Sequence, residues 1–238
     1  TYLGKSYGTY LGAVYAGLFP EHVGRMVLDG AIDPTLTSER LNLGQAVGFE
    51  RATLAWAEAC AAEQGCPFPG DATAVMSGLG DLLRELDSKP LTVTGDRSVP
   101  AVTEGWASYG VAAAMYDQGM WDQLSQALTQ ATRGDGSGLM DLADRYADRN
   151  PGGTYSTNLM QALWAVNCLD KPEPAGAEER VVQQQRLTAQ APLWGPFMAW
   201  GSLVCATWPQ PDGTPPPDPA PITAAGSGPI VAIGTTRD

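Results

Sequence analysis

Apolar residues recur along this chain at two different spacings, which divide it into three parts. Near the two ends, residues 1–3, 25–28 and 230–233 have the composition of short buried strands. Between the second and third of these runs lie roughly 200 residues in which apolar side chains return every three or four positions. That period is typical of amphipathic helices, so the middle of the chain is predicted to be almost entirely helical.

Two of the predicted helices have clear apolar faces. The first face comprises Ala46, Phe49, Thr53, Trp56 and Cys60, and the second, after a capping residue at Asp71, comprises Val75, Leu79, Leu82 and Leu86. Further helices are predicted near residues 103–116, 119–132, 139–147, 156–168, 176–190 and 194–206. Loops are predicted at the glycine-rich residues 134–138 and at 150–153, and an extended proline-rich return segment is predicted at 209–221.

Residues 4–8 read Gly-Lys-Ser-Tyr-Gly and fit the pattern G-x-S-x-G, which places a nucleophilic serine on a sharp turn between a strand and a helix. Glycine is expected at both ends of this pattern because side chains there would collide across the turn. Ser6 is therefore the predicted nucleophile, and the backbone N–H of Tyr7 is the predicted donor of an oxyanion hole. The apolar helix predicted for residues 9–19 supplies the expected structural context.

A phosphate-binding loop is the alternative interpretation of the same residues, because Gly4-Lys5-Ser6 also matches the end of G-x-x-x-x-G-K-[ST]. That pattern would place its first glycine before the first residue of the chain. It would also place the bulky Tyr2 and Leu3 where a loop that surrounds phosphate prefers small residues. We therefore favour the serine nucleophile.

The stretch from Gly4 to Pro34 resembles the prolyl and tripeptidyl aminopeptidases, a branch of the α/β-hydrolases that consists of serine peptidases with a helical cap. It contains, in the order typical of that family, the blocks G-x-S-Y-G-T, F-P-x-x-V-x-R, V-L-D-G and D-P. Residues 228–238 resemble the strand and turn that carry the triad acid of the family. Residues 167–170 and 205–209 resemble parts of the cap of secreted actinobacterial tripeptidyl aminopeptidases.

The resemblance implies an α/β fold with an α/β-hydrolase core, only partly present in these residues, and a large helical cap inserted between two core strands. Residues 1–34 are then the core segment with the nucleophile elbow, residues 35–222 the cap and its proline-rich return, and residues 223–238 the core strand that ends at the triad acid. A parallel crossover needs only a dozen or more residues, so an insertion of this length fits a cap over the face where ligands bind in such sheets.

The resemblance makes Asp238 the predicted triad acid, and Asp29 and Asp33, which follow an earlier strand, are the alternatives. His22 is the only histidine. It follows the helix after Ser6, about 15 Å or more away at ~1.5 Å per residue, so we expect it to be a surface residue. Because the fold orders its triad Ser, Asp, His, we expect the general base after Asp238, and we expect these residues to be an inactive fragment on their own.

In the resembled peptidases, acidic cap residues bind the free amino group of the peptide, which makes Asp170 and Glu173 the candidates here. The alternative for Asp170 is an ordinary role at a helix end. The cap tryptophans are expected in the core rather than in a substrate pocket, namely Trp106, Trp121, Trp164, Trp194 and Trp200. The predicted function is that of a serine aminopeptidase which releases short peptides, such as tripeptides, or proline from free N-termini through an acyl-enzyme. An esterase with the same fold and a non-catalytic binding protein are the alternatives.

The charge balance narrows the classes of partner. Lys and Arg total 14 against 26 Asp and Glu, which gives a formal net charge of −12. This argues against nucleic acid and anionic membranes, and it suits a substrate with an ammonium group. No apolar run approaches the ~20 residues of a membrane span.

Four cysteines bear on the compartment. They allow three pairings, of which we favour Cys60–Cys66 and Cys168–Cys205, because the short loop between the first two turns the chain back. Four reduced, buried cysteines are the alternative. Disulfides form in oxidising compartments, so a secreted bacterial protein is expected. No metal site is expected because the sequence has no C-x-x-C motif and no histidine cluster, and no cofactor is expected.

Overall fold

Three parallel strands form the sheet that carries the predicted elbow. In the computed structural model, which describes residues 1–95, 98–171, 176–209 and 221–234, they are β1 (Tyr2–Lys5), β2 (Met26–Asp29) and β5 (Ile230–Ile233), with β2 in the centre. Their register aligns Leu3 with Val27 and Val27 with Val231. Two of the predicted site residues, Glu173 and Asp238, lie outside the described residues.

The helix α1 (Tyr7–Leu18) follows β1 after a single residue and covers one face of the sheet. The approach is close at Gly12, where a Cβ atom would lie 2.7 Å from side-chain carbons of both Tyr2 and Leu28. The small core beneath this helix consists of Ala16, Val23, Met26 and Leu28. The glycine thus lets the helix that follows Ser6 dock directly on the strand that precedes it.

The chain between β2 and β5 forms the predicted helical insertion. Its helices are α2 (Ser38–Ala61), α3 (Ala72–Ser88), α4 (Glu104–Met115), α5 (Trp121–Ala131), α6 (Ser137–Ala147), α7 (Leu159–Asp170), α8 (Ala177–Thr188), α9 (Trp194–Gly201) and α10 (Leu203–Ala206). A short antiparallel pair, β3 (Leu91–Thr92) and β4 (Ala101–Val102), lies between α3 and α4. The fold class is therefore α/β, with a short parallel sheet and a large helical insertion between two of its strands, as the sequence predicts.

The periodicity and capping arguments are confirmed for most of these helices. The predicted face of α2 is buried at Ala46, Thr53, Trp56 and Cys60. Asp71 caps α3 by accepting a hydrogen bond of 2.9 Å from the N–H of Ala74. The single helix predicted for residues 194–206 is instead two helices, because the backbone leaves helical geometry at Ser202, where ψ is 3°.

The main hydrophobic core lies within the helical insertion and not beneath the sheet. Its fully buried side chains include Trp56, Leu79, Leu124, Met140 and Trp194. Helices α4 and α6 meet closely, since a Cβ atom at Gly110 would lie 2.5 Å from the backbone oxygen of Leu139. The insertion therefore has the packing of an independent helical layer.

The expectation that the cap tryptophans lie in the core holds for three of them. Trp194 is fully buried, and Trp106 and Trp121 pack against the main core. Trp164 is half-buried on α7. The expectation is wrong for Trp200, which is 40% exposed because its indole N–H reaches the surface and donates to Gln184 at 2.7 Å.

Burial differs between the strands of the sheet, since α1 covers one face of β2 whereas side chains of the outer strands are exposed within the described residues. Leu3 is 60% and Val231 53% exposed, and both belong to the sheet face opposite α1. Successive side chains of a strand point to opposite faces. The helix therefore buries Met26 and Leu28 of β2, whereas the other face stays exposed within the described residues.

Both predicted disulfides are present. Cys60 pairs with Cys66 at the end of α2, where their Cα atoms are 5.2 Å apart. Cys168 pairs with Cys205, 37 residues later in the sequence, and this bridge joins α7 to α10. Among the described helices, none has both the length and the apolar character needed to cross a bilayer.

Candidate active site

Ser6 lies at the turn between β1 and α1 in a backbone conformation that only glycine adopts without strain. Its φ is 49° and its ψ is −119°. Both backbone polar groups of Ser6 are hydrogen-bonded. The Ser6 N–H donates to the backbone oxygen of Asp29 at 3.2 Å, and the Ser6 backbone oxygen accepts from the Thr9 N–H at 2.9 Å. The exposed residue Ser6 thus has the geometry of a nucleophile elbow.

The two glycines that flank the turn are not equally constrained. A Cβ atom at Gly4 would lie 2.4 Å from the backbone oxygen of Gly8, so any side chain there is excluded. At Gly8 a Cβ atom would meet only the Tyr2 hydroxyl oxygen, at an ordinary 3.5 Å. The expectation of a collision is therefore correct for Gly4 and wrong for Gly8, whose carbonyl, rather than its Cα, faces the turn and accepts the Tyr2 hydroxyl at 2.6 Å.

Thr9 fixes the elbow to the turn that follows β2, a role that the pattern search missed. Its hydroxyl is buried, donates to the Ser6 oxygen at 2.6 Å and accepts from the N–H of Ile32 at 2.9 Å. The available signal is the threonine that ends the block G-x-S-Y-G-T. A small hydroxyl at this position can serve both turns at once, because it is a donor and an acceptor.

The alternatives to Asp238 as triad acid have other contacts. The Asp33 carboxylate accepts from the hydroxyl of Thr35 at 2.7 Å and from its N–H at 2.8 Å, which lowers the pKa of this exposed carboxyl below its usual range. Asp29 ends β2, and its backbone oxygen supports Ser6. The assignment of the acid to Asp238 stays a prediction.

His22 is a surface residue, as expected. It ends the short 3-10 turn Pro20–His22 beyond α1, and its imidazole lies 3.6 Å from the carboxylate of Glu21 with both side chains about two-thirds exposed. Its position offers no route to Ser6, which lies at the opposite end of α1.

A contact between cap and core lies beside the predicted nucleophile. The hydroxyl of Tyr7, the residue after Ser6, donates a short hydrogen bond to Oδ2 of Asp170, 163 positions later in the sequence. Partial burial and then the neighbouring Asp170 carboxylate raise the pKa of Tyr7 well above its usual range. The phenol donates this hydrogen bond and holds a cap carboxylate next to the elbow.

Asp170 occupies a position that helix electrostatics disfavours. It is the last residue of α7, where the aligned peptide dipoles place partial negative charge. The adjacent Lys171 forms no direct ion pair with it within the described residues, because its Nζ donates to the backbone oxygen of Leu36 at 2.7 Å and lies 5.2 Å from the ring centre of Tyr10. The two charges still attract, and the Asp170 carboxylate opposes the lowering of the Lys171 pKa by burial. A carboxylate held at such a place, with only a neutral phenol as described donor, is suited to an incoming cation.

The end of α7 is fixed at several points. Cys168 is bonded to Cys205, two residues before Asp170. The backbone oxygen of Lys171 accepts from the Ser38 hydroxyl at 3.2 Å, at the start of α2. The carboxylate position is therefore set by the covalent frame of the cap as well as by Tyr7.

Comparison with known proteins decides the family. Residues 1–137, more than half of the chain, match the alpha/beta hydrolase fold. The chain belongs to the α/β-hydrolase fold family. Its strained Ser6 between β1 and α1 and its parallel sheet are the features that this family shares.

Among its relatives are three bacterial hydrolases. It is 34% identical over its full length to the serine protease Hip1 of Mycobacterium tuberculosis, covering 46% of that protein. It is 36% identical over 92% of its length to carboxylesterase B of the same organism, covering 42% of it. It is 33% identical over its full length to the tripeptidyl aminopeptidase of Streptomyces lividans, covering 43% of it. The resemblance stated from the motifs is confirmed, and the chain spans about half the length of the curated relatives that it matches.

Proposed function

We propose that the full-length protein is a serine aminopeptidase that releases short peptides from free N-termini through an acyl-enzyme. The observation that carries the proposal is the hydrogen bond between Tyr7 and Asp170, which holds an acidic cap residue beside the predicted nucleophile. The similarity to a tripeptidyl aminopeptidase and to a serine protease supports the same class of reaction.

The proposed chemistry follows from the elbow. Ser6 Oγ attacks the carbonyl carbon of the scissile bond, and its proton passes to a histidine, which we expect after Asp238 in the full-length protein. The developing oxyanion accepts a hydrogen bond from the N–H of Tyr7, which belongs to the first turn of α1 and has no intrahelical acceptor. The histidine then protonates the leaving amine, and water hydrolyses the ester on Ser6.

Asp170 is the proposed recognition group for the ammonium of the substrate, with Glu173 as a second candidate. Its Oδ2 is bound by Tyr7, and no described residue donates a hydrogen bond to its Oδ1. An ammonium has three donors and binds a partly desolvated carboxylate through a charge-assisted hydrogen bond. A substrate without a free amino group would leave this carboxylate unpaired.

The second candidate function is ester hydrolysis. It is favoured by the 36% identity to carboxylesterase B, and it would use the same Ser6 and Tyr7 groups. An esterase needs no cation-binding carboxylate beside the nucleophile, so the contact between Tyr7 and Asp170 favours the peptidase. The two disulfides further support our proposal that the protein acts outside the bacterial cytoplasm.

The test compares a free tripeptide anilide with its N-acetyl twin as substrates of the full-length protein. A charge-assisted hydrogen bond contributes roughly 1.5–3 kcal/mol, so acetylation should lower kcat/KM about thirtyfold. In Asp170→Asn the discrimination should largely disappear. The matched control is Asp141→Asn, which removes an exposed carboxylate on α6 within the cap.

Labelling with a fluorophosphonate should modify Ser6 and no other serine. Equal rates on the two anilides would reject the aminopeptidase and favour the esterase. Discrimination that survives in Asp170→Asn would keep the function and remove only the assignment of this residue.

A further inference from the structure

Tyr7 carries two functional groups whose separation is fixed by one side chain. Its backbone N–H lies directly after Ser6 at the start of α1 and donates to no described backbone oxygen. Its hydroxyl, at the far end of the ring, donates to Oδ2 of Asp170. Tyr7 therefore supplies the proposed oxyanion donor, its own N–H, and also holds the proposed amine-binding group, the Asp170 carboxylate.

The ring of Tyr7 is held in place by the residues that pack around it. It is half-buried and lies against the ring of Tyr10, with ring centres 5.8 Å apart. A tyrosine has only two side-chain torsions, so little freedom remains once the ring is packed and the hydroxyl is bonded. The distance from the elbow to the Asp170 carboxylate is then set by covalent geometry.

The Asp170 carboxylate, which accepts the Tyr7 hydroxyl, is also held in place. The carboxylate of Asp170 extends from a helix end that the bridge from Cys168 to Cys205 and the hydrogen bond from Ser38 to Lys171 hold in place. Neither group at the ends of the Tyr7 side chain can shift by several ångströms without breaking a described contact. Tyr7 and its hydrogen bond to Asp170 thus form a spacer of fixed length, here called the ruler, between the amine-binding carboxylate and the nucleophile.

We propose that Tyr7 is a positioning residue that sets the length of the released peptide, by holding the Asp170 carboxylate at a fixed distance from Ser6. The inference rests on the proposed aminopeptidase function and adds the element that selects length. One residue of extended peptide spans about 3.3–3.6 Å, so a carboxylate displaced by that amount would align a different carbonyl with the nucleophile. A carboxylate released from the phenol would accept substrates of several lengths.

The test measures kcat/KM for anilides of one, two and three residues with free amino termini, on the full-length protein. The wild type should prefer one length. Tyr7→Phe removes the hydroxyl and keeps the ring, and it should reduce the preference for that length over the next best about tenfold, the effect of one lost hydrogen bond to a charged group. A ratio between substrates is insensitive to a general loss of folded enzyme.

Tyr15→Phe is the matched control. Tyr15 lies about two helical turns after Tyr7 on α1, and its hydroxyl makes no hydrogen bond with a described residue. The variant keeps the ring that packs on Phe19 and touches neither Tyr7 nor Asp170, so its length profile should equal that of the wild type. If Tyr7→Phe does not fold, Asp170→Glu gives a second test, because it keeps the charge and moves the carboxylate by one methylene, which should shift or flatten the profile.

The outcomes separate the two proposals. A wild type that treats free and N-acetylated anilides alike rejects the aminopeptidase function and the ruler together. If the wild type requires the free amine while Tyr7→Phe or Asp170→Glu leaves the length profile unchanged, only the ruler is overturned. A flattened profile in Tyr7→Phe, with an intact profile in Tyr15→Phe, supports it.

Discussion

At the scale of the residue, Ser6 shows a conflict between stability and the proposed chemistry. A non-glycine residue at φ 49° and ψ −119° carries strain of roughly 1–3 kcal/mol. The strain is sustained by three hydrogen bonds to the turn, from or to Asp29 and Thr9. Such a residue is retained where its side chain must stand clear of the backbone, as a nucleophile does.

This strain predicts that Ser6→Gly stabilises the full-length protein. Glycine reaches the observed conformation without steric conflict, although it also adds entropy to the unfolded chain, so the gain in the free energy of unfolding should be up to about 1 kcal/mol. Urea denaturation checks the value. Ser6→Ala is the control, because it keeps the Cβ atom and loses the hydroxyl. A Ser6→Gly variant no more stable than Ser6→Ala would show that the turn is not strained.

At the scale of the element, the helices could be predicted from the sequence wherever their burial is one-sided. The faces of α2 and α3 repeat at helical spacing, and the Asp71 cap has a local signature. The break at Ser202 has a local signal in the pair Gly201-Ser202, which the periodicity argument misses because apolar residues continue on both sides of the pair. The contact between Tyr7 and Asp170 could not be predicted either, since no local pattern records which residues a fold brings together over 163 positions.

The N-terminus of α9 is capped by a side chain from another helix. Glu50, on α2, accepts hydrogen bonds from the N–H groups of Leu193 at 3.1 Å and Trp194 at 3.2 Å. These donors have no intrahelical acceptor, and a carboxylate near them is favoured by the helix dipole. Burial nevertheless raises the pKa of Glu50 above its usual range, although the two N–H groups act in the opposite direction.

This pKa predicts a pH dependence that Glu50→Gln should remove. The folded state binds the Glu50 proton more tightly than the unfolded state, so the associated stability is present at low pH and is lost as pH rises through the folded pKa. The amide oxygen of glutamine can still accept both N–H groups and carries no charge at any pH. The variant should therefore gain stability relative to the wild type as the pH rises from the usual glutamate pKa of about 4.3 toward neutrality.

Urea denaturation across that range measures the difference, and Glu58→Gln, an exposed change on the same helix, is the control. A stability difference between Glu50→Gln and wild type that does not change with pH would contradict the assignment.

At the scale of the whole molecule, the apolar surface is unevenly distributed. The helical insertion encloses the main core, whereas Leu3, Val27 and Val231 form an aligned row on the sheet face opposite α1, with its two outer members more than half exposed. The apolar composition of residues 25–28 and 230–233 predicts buried strands, and strands that lack their neighbours leave such apolar faces exposed.

The exposed row predicts that a polypeptide of residues 1–238 alone associates with itself. Aligned apolar side chains on an open sheet favour contact between copies. Sedimentation velocity should show oligomers, and Val231→Lys should shift the distribution toward monomer. Val181→Lys, which places the same charge on an exposed apolar position of α8, should leave it unchanged. A monomeric wild-type polypeptide would contradict the prediction.

The bridge between Cys168 and Cys205 has a further consequence for limited proteolysis. A single cleavage of any peptide bond between these two cysteines leaves both pieces in one covalent molecule. Asp170 lies within this loop, so one cut on either side of it does not detach it from the molecule. For cuts within this loop, loss of the carboxylate therefore requires a second cut or reduction of the bridge, and gels run without reductant would not reveal a single cut.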